Sequence, residues 1–284
     1  MAKMSERRGS IEISGLGFSY PDGTAVIDDL TLRIDGGEMA AVIGQNGSGK
    51  TTLAKCVGGI LQPSRGQIRI DGTPTFVGRK RTPALVERVG YVFQNPDHQI
   101  FSQSVYEEIA YGLRRLHMPS NRLDERVREA AEVCGISPDL FDEHPFFLPK
   151  GMRQRIAIAS ILALRPSALI VDEPTTGQDF SQSVDIMQFL QFLNGAGHTV
   201  IMITHEMDLV VRYARRVIGM AGGRILVDAP PEQAFLYADV LSALAVQAPD
   251  VIALGKELQG YTDEMPTTSD GLLALCDRIL GRAW

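Results

Sequence analysis

The sequence has few cysteines, few aromatic residues and no long apolar run, and each shortage excludes a class of protein. Among its 284 residues there are 3 cysteines, and aromatic residues make up 7%. Cys56, Cys134 and Cys276 are scattered and show no metal-ligand spacing, which excludes a disulfide framework and a cysteine-ligated metal site. We expect them to behave as small buried hydrophobic residues in a reducing compartment.

No segment of the sequence is predicted to cross a bilayer. The longest apolar-leaning run, Ile156 to Leu164, is bounded by Arg155 and Arg165, whereas a membrane-spanning helix needs about 20 apolar residues. The first residues, MAKMSERRGS, lack the apolar stretch of a signal peptide. We therefore expect a mobile tail at residues 1–10 and a cytosolic protein.

The charge balance is acidic. There are 28 Lys and Arg residues against 34 Asp and Glu residues, a formal net charge of -6. Because nucleic-acid-binding proteins usually present an excess of positive charge, no nucleic-acid partner is expected. The 44% hydrophobic and 22% charged residues are typical of a globular protein, which excludes collagen-like and wholly disordered chains.

Strand-like and helical patterns follow one another along the chain. Alternating positions in IEISGLGFSY predict a strand, and the apolar spacing in SVYEEIAYGLRRL predicts a helix. A further helix, IAIASILAL, is expected to open at Arg153. These patterns predict an α/β domain at 11–230 with a parallel core sheet, an antiparallel β portion and an inserted helical subdomain at about 95–165. A small C-terminal helical extension is predicted at 231–284.

A glycine-rich loop lies between a strand-like and a helical pattern in MAAVIGQNGSGKTTLAKCVGG. It matches G-x-x-x-x-G-K-[ST], in which glycines let backbone N–H groups point at phosphate oxygens. The lysine reaches the β- and γ-phosphates and the next hydroxyl is placed to hold Mg²⁺. The alternative is a glycine-rich turn with a chance lysine. The predicted ATP-binding residues are Asn46, Gly47, Ser48, Gly49, Lys50, Thr51 and Thr52.

Two adjacent carboxylates end the apolar strand pattern ALIVDEP. Because side chains alternate along a strand, Asp172 and Glu173 are expected to project differently. Asp172 can hold Mg²⁺ through water, and Glu173 can orient or deprotonate an attacking water. Taken alone, the pair is equally consistent with an acidic turn before Pro174.

The phosphate loop, ALIVDEP and ITHEMD, in this order, resemble the nucleotide-binding subunits of ABC-type ATPases over about residues 10–230. The resemblance implies ATP hydrolysis with Mg²⁺ between two such subunits. It implies that Tyr20 stacks on adenine, that Gln94 contacts Mg²⁺ and the attacking water, and that His205 contacts the γ-phosphate. It also implies a place for Asp179 at the dimer interface.

Each of these four assignments has a structural alternative. Tyr20 is also consistent with a core tyrosine at a strand end, and Gln94 with a solvated loop residue. Asp179 is consistent with a solvent-facing turn. A histidine at a strand end, such as His205, is often a capping or core residue.

Two further segments indicate a particular group within the ABC-type ATPases. FQNPDHQIF, and the tail with PDVIALGKELQG and TSDGLLAL, are similar to the ATPase subunits of energy-coupling-factor transporters, which import vitamins and transition-metal ions. This implies a peripheral place on the cytoplasmic face of the cell membrane, with integral-membrane subunits and a second ATPase subunit as partners. The alternatives are a non-transport ABC ATPase, a regulatory nucleotide-binding subunit with weak hydrolysis, and another P-loop enzyme such as a small-molecule kinase.

The sequence departs from the family at one motif. Where ABC ATPases carry Leu-Ser-Gly-Gly-Gln, this chain has Leu148, Pro149, Lys150, Gly151 and Met152. Pro149 removes a hydroxyl and a backbone donor. We therefore expect this chain to pair with a non-identical ATPase that has an intact signature, in an asymmetric dimer. The alternative is that Gly151 and the helix N-terminus suffice.

Overall fold

The computed structural model describes residues 9–258 and 265–281. Most of the mobile tail predicted at residues 1–10, namely residues 1–8, lies outside the described residues. The predicted α/β fold is confirmed, with a mainly parallel sheet, an antiparallel sheet and several helices. The domain boundaries at 11–230, 95–165 and 231–284 stay predictions.

The strands and helices are numbered in chain order. The strands are β1 (Ile11–Ser19), β2 (Ala25–Ile34), β3 (Met39–Ile43), β4 (Arg65–Ile70), β5 (Thr73–Pro74), β6 (Phe76–Val77), β7 (Lys80–Arg81), β8 (Val89–Val92), β9 (Ala168–Asp172), β10 (Thr199–Ile203), β11 (Arg216–Ala221) and β12 (Arg224–Ala229). The helices are α1 (Lys50–Val57), α2 (Val105–Arg115), α3 (Ser120–Val133), α4 (Lys150–Leu162), α5 (Phe180–Gly195), α6 (Met207–Tyr213), α7 (Pro231–Ala234), α8 (Ala238–Leu244), α9 (Asp250–Glu257) and α10 (Ser269–Leu280).

The central sheet has six strands in the order β12-β11-β3-β10-β9-β8. The strands from β11 to β8 are parallel to their neighbours, and β12 pairs antiparallel with β11 at the edge. Every residue of β3, β9 and β10 is buried. Since the carboxyl ends of parallel strands meet at one edge of a sheet, the loops that follow β3, β8, β9 and β10 are brought together there.

The two faces of the central sheet are covered by different layers. Ala40 and Val42 pack with β1, β2, β4 and α1, whereas Met39, Ala41 and Ile43 pack with the helices on the opposite face. This division follows from the alternation of side chains along a strand. The antiparallel sheet, in the order β2-β1-β4-β5, therefore lies on the side that carries the helix after the glycine-rich loop.

Helices α2, α3 and α4 pack against one another beyond the central sheet. The expectation that the α4 helix opens at Arg153 is wrong, because the helix begins at Lys150. Pro149 precedes it with φ -55°, and a proline restricted to that angle is readily accommodated just before a helix. The start of α4 therefore falls within the altered signature segment.

Two of the C-terminal helices pack on the edge of the central sheet. Helices α7 and α8 contact β11 and β12, and Phe235 and Leu244 are buried there. Within the described ranges 9–258 and 265–281, the structure has no helix of the length and hydropathy needed to span a membrane.

Candidate functional site

The glycine-rich loop leaves the central sheet after β3 and turns into α1. Gly44 has φ +139° and Gly49 has φ +102°, values that side chains other than glycine rarely tolerate. A Cβ on Gly44 would lie 2.1 Å from the carbonyl oxygen of Met220 in β11. Glycine is therefore required here both by backbone conformation and by the closeness of the neighbouring strand.

Two hydrogen-bond donors are buried inside this loop. Lys50 is 8% exposed, and its Nζ donates to the carbonyl oxygens of Gly44 at 2.7 Å and Gln45 at 2.9 Å. Burial lowers the pKa of the Lys50 amine, and Glu173 nearby opposes that effect. The hydroxyl of Ser48, 1% exposed, has no hydrogen-bond partner in the described part of the chain. A buried ammonium group and an unsatisfied hydroxyl fit a phosphate group.

Asp172 ends β9 and is held by two hydroxyl groups. Its Oδ2 accepts a hydrogen bond of 2.7 Å from the hydroxyl of Tyr91 in β8, and its Oδ1 lies 3.4 Å from Thr51 Oγ1. Burial, together with the Asp172 charge, raises the pKa of Tyr91, so this hydroxyl stays protonated and donates. The structure thus brings together Thr51 and Asp172, two of the three residues predicted to contact magnesium; the magnesium contact of Gln94 stays a prediction.

The donor set suits magnesium only together with a phosphate. Among the residues that the structure describes, no group of three or more His, Cys, Asp or Glu side chains is arranged to hold a metal ion. Mg²⁺ prefers oxygen ligands and is usually bound by one or two protein groups plus substrate phosphates and waters. Thr51 and Asp172 fit this pattern.

Glu173 follows directly and adopts an unusual backbone conformation, with φ +50°. A residue other than glycine in this region is strained by about 1–3 kcal/mol and often marks a functional position. Its N–H donates to the Ile203 carbonyl at 2.8 Å. His205 Nδ1 lies 2.5 Å from Glu173 Oε2, and the Thr176 hydroxyl donates to the same oxygen at 3.2 Å. The carboxylate is thereby oriented from two sides.

Tyr20 and Gln94, predicted to stack on adenine and to contact the attacking water, are both exposed. Tyr20 is 38% exposed, lies 3.2 Å from Thr52 Oγ1 through its hydroxyl, and contacts Phe18 edge-to-face with ring centroids 5.0 Å apart. Gln94 is exposed in the loop after β8. The backbone beside it is fixed, because the N–H of Phe93 donates to Gln99 Oε1 at 3.2 Å.

The altered signature segment lies against the segment that follows Glu173 in the same chain. Lys150 Nζ donates to the Thr176 carbonyl at 2.6 Å. Asp179 is exposed and caps α5 by accepting a hydrogen bond of 2.9 Å from the N–H of Gln182. The stacking role of Tyr20 and the interface role of Asp179 stay predictions, as do the roles of the altered signature residues Leu148, Pro149, Lys150, Gly151 and Met152.

Sequence reasoning missed Tyr91, Thr176 and the Lys150 contact. Tyr91 was visible in the strand pattern RVGYVFQ, and the structure pairs it with Ile170, two residues before Asp172. The neighbour relation of β8 and β9 was needed to recognise it. For the contact between Lys150 and Thr176 the sequence carries no signal.

Comparisons with known proteins agree with this arrangement. Residues 27–176 match the family model described as ABC transporter. The energy-coupling factor transporter ATP-binding protein EcfA of Methanocaldococcus jannaschii is 38% identical over 90% of this chain and 91% of its own length. A putative ABC transporter ATP-binding protein of Methanosarcina acetivorans is 41% identical over 91% of this chain. The chain spans only 42% of that relative's length.

A solved structure gives the same result. The cbiO1 protein of Clostridium perfringens, described as part of the ABC transporter complex cbiONQ, superposes with a TM-score of 0.74 at 36% identity. The match covers 83% of this chain and 94% of that one. The resemblance drawn from the motifs is thereby confirmed, and the chain belongs to the ABC transporter family.

Proposed function

We propose that this chain binds and hydrolyses ATP with Mg²⁺, and so powers solute import through a membrane transporter of the energy-coupling-factor type. One observation carries the proposal: Lys50 at the start of α1, Asp172 and Glu173 at the end of β9, and His205 after β10 meet at one edge of the central sheet. The energy-coupling factor relatives support the type of transporter, since they match over most of the chain.

The loop residues hold the nucleotide. Lys50 exchanges its two carbonyl partners for phosphate oxygens, and Ser48 gains the hydrogen bond that it lacks within the described chain. Thr51 and Asp172 hold Mg²⁺, which when bound neutralises charge on the phosphate oxygens. Tyr20 offers a partly exposed ring to the adenine base.

Hydrolysis needs one proton acceptor and accurate positioning, without a covalent intermediate. Glu173 accepts the proton of the attacking water at its carboxylate. His205 holds that carboxylate from one side and turns its exposed ring towards the γ-phosphate. Gln94, in the exposed loop after β8, is the residue that senses the membrane subunit.

We further propose an asymmetric dimer on the cytoplasmic face of the membrane. Pro149 offers neither a hydroxyl nor a backbone N–H at the signature position, and a lost hydrogen bond to a charged group costs about 1.5–3 kcal/mol. The ATP held by this chain faces the intact signature of a non-identical partner and is hydrolysed. The partner's ATP faces Pro149 and Lys150 and turns over slowly.

Changing Glu173→Gln tests the catalytic part. We expect ATP binding to persist and turnover by the complex to fall by about 10²–10⁴. Glu129→Gln is the matched control and keeps the native rate, because Glu129 lies on α3 in an exposed ion pair with Arg165. Retained turnover in Glu173→Gln contradicts the proposed role.

The transport part is tested by purification from detergent-solubilised membranes. We expect the tagged chain to bring down a second ATPase and integral-membrane subunits. Copurification with nucleic acid in their place contradicts the transport assignment. A homodimer of this chain that hydrolyses ATP at the full rate of the complex contradicts the asymmetry.

A further inference from the structure

We propose that Lys150 positions Glu173 within its own chain, by fixing the segment that contains Thr176. The proposal rests on the proposed role of Glu173 in hydrolysis. It makes the unusual lysine of the altered signature a positioning residue for the adjacent catalytic carboxylate of the same subunit.

The first link joins α4 to the segment after β9. The Lys150 ammonium group donates a 2.6 Å hydrogen bond to the Thr176 carbonyl oxygen, a partner 26 residues away. Hydrogen bonds from charged donors are shorter and roughly twice as strong as neutral ones. In the ranges 9–258 and 265–281 no carboxylate forms an ion pair with Lys150, so the ammonium group is directed at this carbonyl.

The backbone is shaped for this close approach. Gly177 follows Thr176 with φ +71°, and a Cβ placed on it would lie 2.8 Å from Lys150 Nζ. Any larger residue would therefore both strain the backbone and displace the ammonium group. The local sequence Thr-Gly leaves room for the lysine.

The second link joins the segment to the catalytic carboxylate. The hydroxyl of Thr176 donates to Glu173 Oε2 at 3.2 Å, and His205 Nδ1 lies 2.5 Å from the same oxygen. Thr176 thus receives a hydrogen bond from Lys150 at its backbone and gives one to Glu173 from its side chain. A shift of Thr176 moves one of the two groups that orient the carboxylate.

A neighbouring anchor shows that this segment is held at several points. The hydroxyl of Thr175 donates to a carboxylate oxygen of Glu206, directly after His205, and Gln178 Nε2 donates to the Pro174 carbonyl at 3.3 Å. Glu173 itself is in a strained backbone conformation. Such a conformation persists only where the surroundings over-determine it, and Lys150 supplies the contact from α4.

The consequence is a specific kinetic effect. Misplacing a catalytic group by about 1 Å can cost about 10²-fold in rate. Lys150 makes its contact at Thr176 and not in the phosphate loop, whose lysine bonds Gly44 and Gln45. Loss of the Lys150 ammonium group therefore lowers kcat and leaves the KM for ATP unchanged.

The test uses the purified transporter complex. In the partner ATPase the catalytic carboxylate is replaced by the corresponding amide, so that the partner's site no longer hydrolyses ATP. Turnover then reports the Glu173 site alone. We expect Lys150→Met to lower kcat roughly ten-fold, with the KM for ATP within two-fold, and Lys150→Arg to restore at least half of the rate. Lys256→Met is the matched control, because Lys256 also donates to a backbone carbonyl, that of Leu236, at 3.1 Å.

A double-mutant cycle identifies the route. Thr176→Val removes the hydroxyl that contacts Glu173 and leaves the backbone carbonyl. If Lys150 acts through Thr176, the double variant is no slower than Thr176→Val alone, because coupled residues are not additive. Losses that multiply, a native kcat in Lys150→Met, or a raised KM in place of a lowered kcat each overturn the proposal.

Glu173→Gln separates this inference from the proposed function. If that variant keeps its turnover, the role of Glu173 is wrong and the function itself must be revised. If it is inactive while Lys150→Met is native, the function stands and only the positioning role of Lys150 is overturned.

Discussion

Helices α1 and α4 both begin with a lysine, but the two lysines bind carbonyl oxygens in different ways. Lys50 folds back on its own loop and donates to residues five and six positions earlier. Lys150 reaches a residue 26 positions later, in a separate loop. Neither helix has a side chain that caps its first turn.

The residue before each helix explains the difference. Gly49, with φ +102°, is the last residue of the glycine-rich loop. Two carbonyl groups of that loop accept hydrogen bonds from Lys50. Pro149, with φ -55° and ψ 152°, keeps the chain extended before α4, and Lys150 donates to the carbonyl of Thr176 in another segment. The same residue at the same helix position therefore contacts its own loop in one case and a distant segment in the other.

If the two lysines were interchangeable, their removal would affect ATP binding equally. We expect Lys50→Met to weaken ATP binding by roughly 100-fold or more, because two hydrogen bonds from a charged group are lost, each contributing about 1.5–3 kcal/mol. Lys150→Met is expected to keep ATP affinity within two-fold. Titration calorimetry with Mg-ATP checks both values, and equal losses would show that Lys150 also binds the nucleotide.

Beside α1, Asp172 receives a buried hydrogen bond from β8. Tyr91→Phe removes the hydroxyl that donates to Asp172 at 2.7 Å. Partners that orient a metal ligand affect metal affinity by about 10–100-fold. We therefore expect the Mg²⁺ concentration for half-maximal ATPase activity to rise about ten-fold. Tyr106→Phe is the matched control, since its hydroxyl donates to Asp124 on α3; an equal response in both variants would show that the Tyr91 hydroxyl does not orient Asp172 for magnesium binding.

The two helix starts also show which features could be predicted from the sequence and which could not. The placing of Lys50, Asp172, Glu173 and His205 at one sheet edge follows from three apolar strand patterns, each followed by a glycine-rich or polar segment, because parallel strands bring their carboxyl ends together. The start of α4 was predicted three residues too late, because Gly151 is a poor helix former and the proline that precedes Lys150 was not used as a helix-start signal.

The contacts of Tyr91 and Lys150 could not be predicted for a physical reason. Tyr91 reaches Asp172 across 81 residues, and Lys150 reaches Thr176 across 26. Both depend on which elements become neighbours, namely β8 beside β9 and α4 beside the loop after β9. Local periodicity defines an element but not its neighbour.

The proposed asymmetry of the ATPase dimer can be tested by restoring one residue of the signature motif. Pro149→Ser adds a hydroxyl and a backbone N–H before α4, and one transition-state donor can change a rate by about 10²–10³. Because Lys150 still occupies the neighbouring position, we expect a smaller gain, of roughly five-fold, in turnover at the opposite site. The rate is measured in the complex with Glu173→Gln silencing this chain's own site. Pro119→Ser, at the corresponding position before α3, is the control; no gain with Pro149→Ser would show that this proline does not limit the opposite site.

The smallest effect is expected at α5, where the side chain of Asp179 caps the first turn. Asp179 Oδ1 accepts a hydrogen bond from the N–H of Gln182 at 2.9 Å. Loss of an N-cap typically lowers the free energy of unfolding by about 1 kcal/mol, whereas asparagine caps about as well as aspartate. We expect Asp179→Ala to show this loss in chemical denaturation of the isolated chain and Asp179→Asn to remain near native. If both variants keep native stability yet weaken pairing with the second ATPase, Asp179 acts at the dimer interface, and its hydrogen bond to Gln182 contributes little to folding.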